Sequence, residues 1–299
     1  MSSILLPQSF EEPPSYKPSN TSTIVTRRRS LPASKEKSSG DSWNHKSKLA
    51  PIPAHPLLLM KTTASQSPRP AFGLLLVGAP KSGKTSFALQ FPNPYIADCD
   101  NNISGPHRYL KEKSLSPVFS YDTIDIADDG TEVAIGKRWT RLTECCKVAA
   151  ASKDIDTIIV DSLTKVSDYL VDHILNYEKI QQMRIQDWLS YQNLMKRFVT
   201  YLRSTGKLVI FCAHETVEKD ELEGTLKYFI ALPSKLRDTI GGLFTDVWRA
   251  EYQPGAAGKE GAYMVRAVSS ARMSLGNSLG LPAAFPMEYK QIQPKLTSL

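Results

Sequence analysis

The sequence is short of cysteine and has no long apolar run. Its four cysteines, Cys99, Cys145, Cys146 and Cys212, are spread over 299 residues. None is spaced C-x-x-C and two are adjacent, a pattern suited neither to a structural disulfide nor to a zinc site. Reduced, mostly buried thiols are expected, and with them a cytoplasmic location. No stretch of 18 or more apolar residues offers a membrane span. The opening ILLPQSFEEPP has too short an apolar run and no basic region before it, so a cleaved secretory signal is not expected. Acidic residues are scarce in the first 70 positions, which hold ten Lys or Arg against four acids; the remainder holds 27 against 26. The net charge of +7 is therefore a property of this segment. Residues 7–70 are rich in Pro, Ser and Thr, and include Arg27, Arg28, Arg29, Lys35, Lys37, Lys46 and Lys48. Such a composition cannot bury enough surface to offset chain entropy, so residues 1–70 are expected to be a disordered basic tail. It suits a tether for nucleic acid or for an acidic partner, and equally a solubilising arm. A small apolar island, HPLLLMKTT at 55–63, could dock on the body or on a neighbouring subunit.

From residue 71 strand-like and helix-like segments alternate, as a parallel sheet with crossover helices requires. Strands are predicted at 72–77, 94–98, about 117–121, 157–161 and 207–213, with helices near 84–91, 137–151, 163–178 and 186–205. Val166, Tyr169, Leu170, His173, Ile174 and Tyr177 share one helical face. Trp188, Tyr191, Met195, Phe198 and Leu202 share another. Both stripes read as core, as do Trp139 and Trp248. A hairpin around Gly224, a short helix from Ser234 to Ile240 and strands at 245–252 and 261–269 follow. The domain is expected to span 71–285, leaving 286–299 as a C-terminal tail.

Within this pattern, Phe72–Val77 runs directly into Gly78, Ala79, Pro80, Lys81, Ser82, Gly83, Lys84 and Thr85, followed by Ser86. This is G-x-x-x-x-G-K-[ST] between a strand and a helix, the context that the phosphate-binding loop requires. The glycines allow a tight turn that points backbone N–H groups at phosphate oxygens, and the following helix aims its positive end at them. Lys84 would reach the β and γ phosphates, and Thr85 has the hydroxyl that a bound Mg²⁺ needs. Further on, Thr157-Ile158-Ile159-Val160-Asp161 is an apolar strand ending in a carboxylate, the Walker B arrangement, in which Asp161 holds Mg²⁺ through water and orients Thr85.

The residue after Asp161 is Ser162 rather than glutamate, and the GTPase patterns D-x-x-G and N-K-x-D do not occur at their expected places. Asp161-Ser162-Leu163-Thr164 resembles the RecA class. There the water-activating carboxylate comes from the strand after the phosphate-loop helix, here Tyr95-Ile96-Ala97-Asp98-Cys99-Asp100. Asp100 occupies the position usually held by glutamate, one methylene shorter, so Glu215 is a second candidate base. The strand Lys207–Ala213 ends in His214-Glu215, where RecA-like cores carry a polar sensor that bonds the γ-phosphate and moves the loop behind it, here Thr216–Phe229.

Taken together, residues 71–285 resemble the phage-encoded RecA-like nucleotide-binding ATPases, including the Sak-type single-strand annealing recombinases. The resemblance is carried by GAPKSGKTS, YIADCD, TIIVDSLTKV, VIFCAHE with an acidic hairpin, LPSKLRDTIGGLFTDVWRAEY, and a strand followed by Ser270-Ala271-Arg272. It implies an α/β RecA-like P-loop core with a mostly parallel central sheet flanked by helices. It also implies ATP hydrolysis with Mg²⁺, homo-oligomer formation and work on single-stranded DNA in recombination or replication, in the host cytoplasm. Arg272 matches a basic residue that reaches a nucleotide across a subunit interface. The acidic residues after His214 are poor DNA contacts, so DNA binding would fall to the basic tail, to Lys196, Arg197, Arg203 and Lys207, or to a surface made by oligomerisation. Two other readings stay open. One is a nucleotide-gated module that hydrolyses little and loads a partner such as a single-strand-binding protein. The other is a small-molecule P-loop kinase.

Overall fold

The computed structural model describes residues 72–115, 118–221, 224–233, 235–255 and 260–297. The basic tail, the island at 55–63, residue 117 of the third predicted strand and Ser234 lie outside them. In chain order the elements are β1 (Gly73–Gly78), α1 (Lys84–Ala88), β2 (Pro94–Asp98), α2 (Ser104–Glu112), β3 (Ser120–Thr123), α3 (Arg138–Ala151), β4 (Thr157–Asp161), α4 (Leu163–Glu178) and α5 (Asp187–Arg203). They continue as β5 (Leu208–Lys219), β6 (Leu226–Ile230), α6 (Leu236–Thr239), β7 (Asp246–Gln253), β8 (Ala262–Arg266), β9 (Ala284–Pro286) and α7 (Gln293–Leu296). Among the described residues no helix is long and apolar enough to cross a membrane.

The strands form one sheet in the order β3-β2-β4-β5-β1-β7-β8-β9, with β6 paired to the outer half of β5. From β3 to β7 every pairing is parallel; β8 and β9 extend the sheet antiparallel. This is the mostly parallel α/β sheet flanked by helices expected from the alternation of segments, with β5 lodged between the phosphate-loop strand β1 and the Asp161 strand β4. The central strands are buried on both faces, so they read as unbroken apolar runs, and their period of two divides the core. Leu75, Val77, Ile158, Val160 and Phe211 face α3, α4 and α5. Leu74, Leu76, Ile159, Ile210 and Trp248 face α1, α2 and the C-terminal segment.

Both helical stripes pack as expected over most of their length. Val166, Tyr169, Leu170, Ile174, Tyr191, Met195, Phe198 and Leu202 are buried. Tyr177 is the exception: it is 75% exposed, close to the end of α4, with its ring 6.4 Å from that of His173.

Three further features bear on the expectations. After His214, Glu215 pairs with Ile230 and Thr216 with Phe229 in an antiparallel ladder, as the hairpin predicted around Gly224 requires, so 216–219 and 226–229 are strand and not the loop expected to move behind the sensor. The turn of the hairpin passes through Gly224 at φ 65°, where glycine is free of strain. A second helix, α2, was not anticipated: it carries Gly105 and Pro106 in its first turn and buries only Leu110, so it has no apolar stripe to betray it. The side chain of Asp98 accepts from the backbone N–H groups of Asn102 (3.0 Å) and Ile103 (3.1 Å), satisfying donors where α2 begins.

The third feature corrects the reading of 286–299. Met287 and Ile292 in this supposed tail are buried in the same core as Trp248 and Phe285. Gln90 at the end of the α1 turn fastens the segment, donating to Met287 O (3.4 Å) and accepting from Tyr289 N (3.1 Å). Ile292 is fully buried, so Ile292→Ala is expected to lower stability by about 2–5 kcal/mol. Urea unfolding followed by tryptophan fluorescence measures it. A loose tail would give no change.

Candidate functional site

Because β1, β4, β5 and β2 run parallel, their carboxyl ends lie together, and the polar residues just beyond them converge. Gly78 pairs with His214, and Asp161 pairs with Asp98 on one side and Cys212 on the other. Gly78 is required by contact: a Cβ there would lie 2.4 Å from the carbonyl oxygen of Ala250 on β7. Gly83 is required twice over. Its φ is 88°, and a Cβ would meet Met287 Sδ at 2.9 Å and Tyr263 Cδ1 at 3.0 Å.

The loop from Gly78 to Ser86 turns on Ser82 N–H donating to Ala79 O, with Lys81 at φ 63°. Lys84 is buried, and its ammonium folds back to donate to the carbonyls of Gly78 and Ala79, each at 2.9 Å. Burial holds its pKa below the ordinary lysine value despite the pull of nearby acids. Thr85 Oγ1 donates to Asp161 Oδ2 at 2.5 Å. Burial pushes the Asp161 carboxyl up to about 6, with the Thr85 bond opposing the shift. A hydroxyl and a carboxylate in contact beside a phosphate loop fit a Mg²⁺ that takes few protein ligands and otherwise phosphate oxygens and water. The glycine cradle and the lysine fit the phosphates.

Asp100 and His214 meet directly. Asp100 Oδ2 lies 3.3 Å from His214 Nε2, and Asp100 Oδ1 accepts from Ser162 Oγ at 3.2 Å. Burial pushes the Asp100 carboxyl up, but the bonds from His214 and Ser162 outweigh it and hold the group below its ordinary value. Glu215 is placed otherwise. Its carboxylate is 5% exposed and held by Arg249 through two bonds of 2.8 and 2.9 Å, with the guanidinium 4.0 Å over the Tyr228 ring. Arg272 is exposed and lines a separate cavity of about 590 Å³ with Lys227, Tyr228 and Phe244.

Of the four basic side chains weighed for DNA contact, two are engaged within the fold. Arg203 donates to the carbonyl of Leu243 and to Thr245 Oγ1, and Lys207 donates to the carbonyls of Ser152 and Ile155. Arg197 is exposed and Lys196 half-buried.

The cavity over the loop has a volume of about 810 Å³. One wall holds Asp100, Asp161 and His214. Another was not read from the sequence: Gly105, Arg108 and Tyr109 on one face of α2, opposite Tyr263 of β8 and Met287 of the C-terminal segment. Tyr109 and Tyr263 meet edge to face with centroids 5.9 Å apart, and a cleft of about 1030 Å³ with Tyr252, Tyr289, Lys113 and Lys290 shares this wall. These residues come from three distant stretches of chain, and no local pattern joins them.

Comparison with known proteins adds a family. None of the curated proteins compared with the chain matches it. Among solved structures it is similar to the KaiC-like protein PH0186 from Pyrococcus horikoshii OT3, at 13% identity and a TM-score of 0.37, over 66% of this chain and 78% of that one. It is also similar to the flagellar accessory protein FlaH from Methanocaldococcus jannaschii, at 12% identity and a TM-score of 0.35, over 66% and 77%. Residues 72–273, more than half of the sequence and the whole span from β1 to the Arg272 turn, match the model of the AAA domain family, and the chain belongs to that family.

Proposed function

We propose that the protein is a Mg²⁺-dependent ATPase of the RecA-like kind that acts on single-stranded DNA in recombination or replication as a homo-oligomer. The observation that carries the nucleotide reading is the contact of Thr85 Oγ1 with Asp161 Oδ2 at 2.5 Å, beside a loop whose lysine rests on two loop carbonyls. In this reading Lys84 exchanges those neutral acceptors for phosphate oxygens, a charge-assisted and therefore stronger bond. Thr85 and Asp161 would hold Mg²⁺, which would supply positive charge against the phosphates. Loop amides from Gly78 to Ser86 bind the remaining oxygens.

Asp100 is the better candidate for activating water, because it lines the cavity while Glu215 is neutralised by Arg249 and anchors the hairpin. His214 is the γ-phosphate sensor. Arg272 lies outside this cavity, so in this reading it serves a neighbouring subunit's nucleotide. Tyr109 and Tyr263 offer aromatic surface for the base. Support for DNA comes from the resemblance carried by the His214-Glu215 turn and the PSKL to FTDVW block. The basic first 70 residues and Arg197 supply positive charge.

ATP hydrolysis measured with and without single-stranded DNA at two salt concentrations tests this. Turnover is expected to rise with DNA and to lose that stimulation as salt increases. Lys84→Ala should reduce it by about 100-fold or more. A DNA-indifferent rate equal to that of Lys84→Ala rejects the proposal. Tyr263→Ala should weaken ATP and ADP alike by about 1–3 kcal/mol while leaving inorganic tripolyphosphate unaffected, measured by calorimetry. Equal losses for all three would show that Tyr263 shapes the loop and does not meet the base.

A further inference from the structure

We propose that Asp100 and His214 form a latch: His214 holds the Asp100 carboxylate while the phosphate loop is empty, and a terminal phosphate releases it by taking the same imidazole N–H. The proposal rests on the nucleotide reading above and concerns the regulation of that site. Both carboxylate oxygens of Asp100 are engaged, Oδ1 by the Ser162 hydroxyl and Oδ2 by His214 Nε2. His214 Nε2 carries at most one N–H. The other ring nitrogen, Nδ1, is shielded from solvent and has no hydrogen-bond partner among the described residues, so Nε2 is the atom that the carboxylate engages. One donor thus faces two acceptors that need it, the carboxylate and a phosphate oxygen.

The main chain at His214 is fixed, which confines the exchange to the side chain. Its N–H donates to Thr164 Oγ1 at 3.0 Å, and its carbonyl accepts from Ala231 N at 2.8 Å. It is also the last residue of β5 paired to β1, and the next residue, Glu215, begins the pairing with β6. The side chains of Asp100 and His214 are 27% and 29% exposed, so their contact is partly shielded from water. Asp100 is a methylene shorter than glutamate. Withdrawal of the His214 N–H leaves Oδ2 with both lone pairs for a water that it is to deprotonate.

The test follows the imidazole ¹⁵N signals of His214 in the full chain with Mg²⁺. ADP should leave them unchanged, and a non-hydrolysable triphosphate analogue should move them. In calorimetry, Asp100→Ala should tighten the analogue relative to ADP by about fivefold, the worth of one hydrogen bond no longer broken. In a His214→Ala background this gain should vanish. Loss of the negative charge alone would tighten both nucleotides equally. Equal gains, or His214 signals that respond identically to ADP and to the analogue, overturn the latch and leave the nucleotide reading intact. If neither nucleotide binds and Lys84→Ala matches the parent, the nucleotide reading fails and the latch with it.

Discussion

The arrangement depends on one constraint, the parallel register of four strands that brings buried charges to a common level. Asp98, Asp161 and Cys212 lie side by side across β2, β4 and β5, and Leu76 of β1 is in line with Cys212. Two residues beyond this line stand Gly78, Asp100 and His214. A slip of one residue in any ladder would reverse which side chains face each core layer and separate these groups. The apolar faces of the strands therefore fix the geometry of the polar ends. Leu74 and Leu76 on one side of β1, and Leu75 and Val77 on the other, leave one register that buries all four.

Charges gathered at that level have to satisfy one another, since burying an unpaired charge costs far more than pairing returns. Lys84 rests on loop carbonyls, Asp161 on Thr85, Asp98 on the start of α2, and Asp100 on Ser162 and His214. Each of these contacts satisfies a charge within the protein, and in the proposed function Lys84 and His214 offer N–H donors that a phosphate would take, and Thr85 a hydroxyl oxygen that a cation would take. The contacts of Asp98 and of Glu215 with Arg249 differ. They join backbone elements, fixing α2 and the β5–β6 hairpin, and no phosphate competes for them.

This division explains what could be read from the sequence. The phosphate half of the site is local: glycines, lysine and threonine lie within eight residues, and their chemistry forces their order. Asp161 is legible because an apolar strand ending in a carboxylate gains meaning beside such a loop. Asp100 and His214 are each legible as residues at a strand end, but their pairing is not, because it depends on a strand order in which β4 alone separates β2 from β5. Glu215 could not be assigned from sequence because its partner, Arg249, is 34 positions away on β7. Separations of 40 to 55 positions likewise hid the inward bonds of Arg203 and Lys207.

The second half of the cavity was illegible for a different reason. Tyr109, Tyr263 and Met287 meet only because α2, β8 and the C-terminal segment pack on one face of the sheet. Gly83 makes the dependence explicit: its missing side chain leaves the space that Met287 Sδ and the Tyr263 ring fill, so a loop whose motif is local is shaped by residues 180 and 204 positions later. Gln90 ties the two halves together, its amide nitrogen donating to Ser86 O and Met287 O and its amide oxygen accepting from Tyr289 N. The segment that looked like a tail is therefore a wall of the cavity. Its closeness to the phosphate loop rests on these bonds and on the contacts of Met287 and Tyr263 beside Gly83, so a change at Gln90 or Gly83 alters both halves of the cavity.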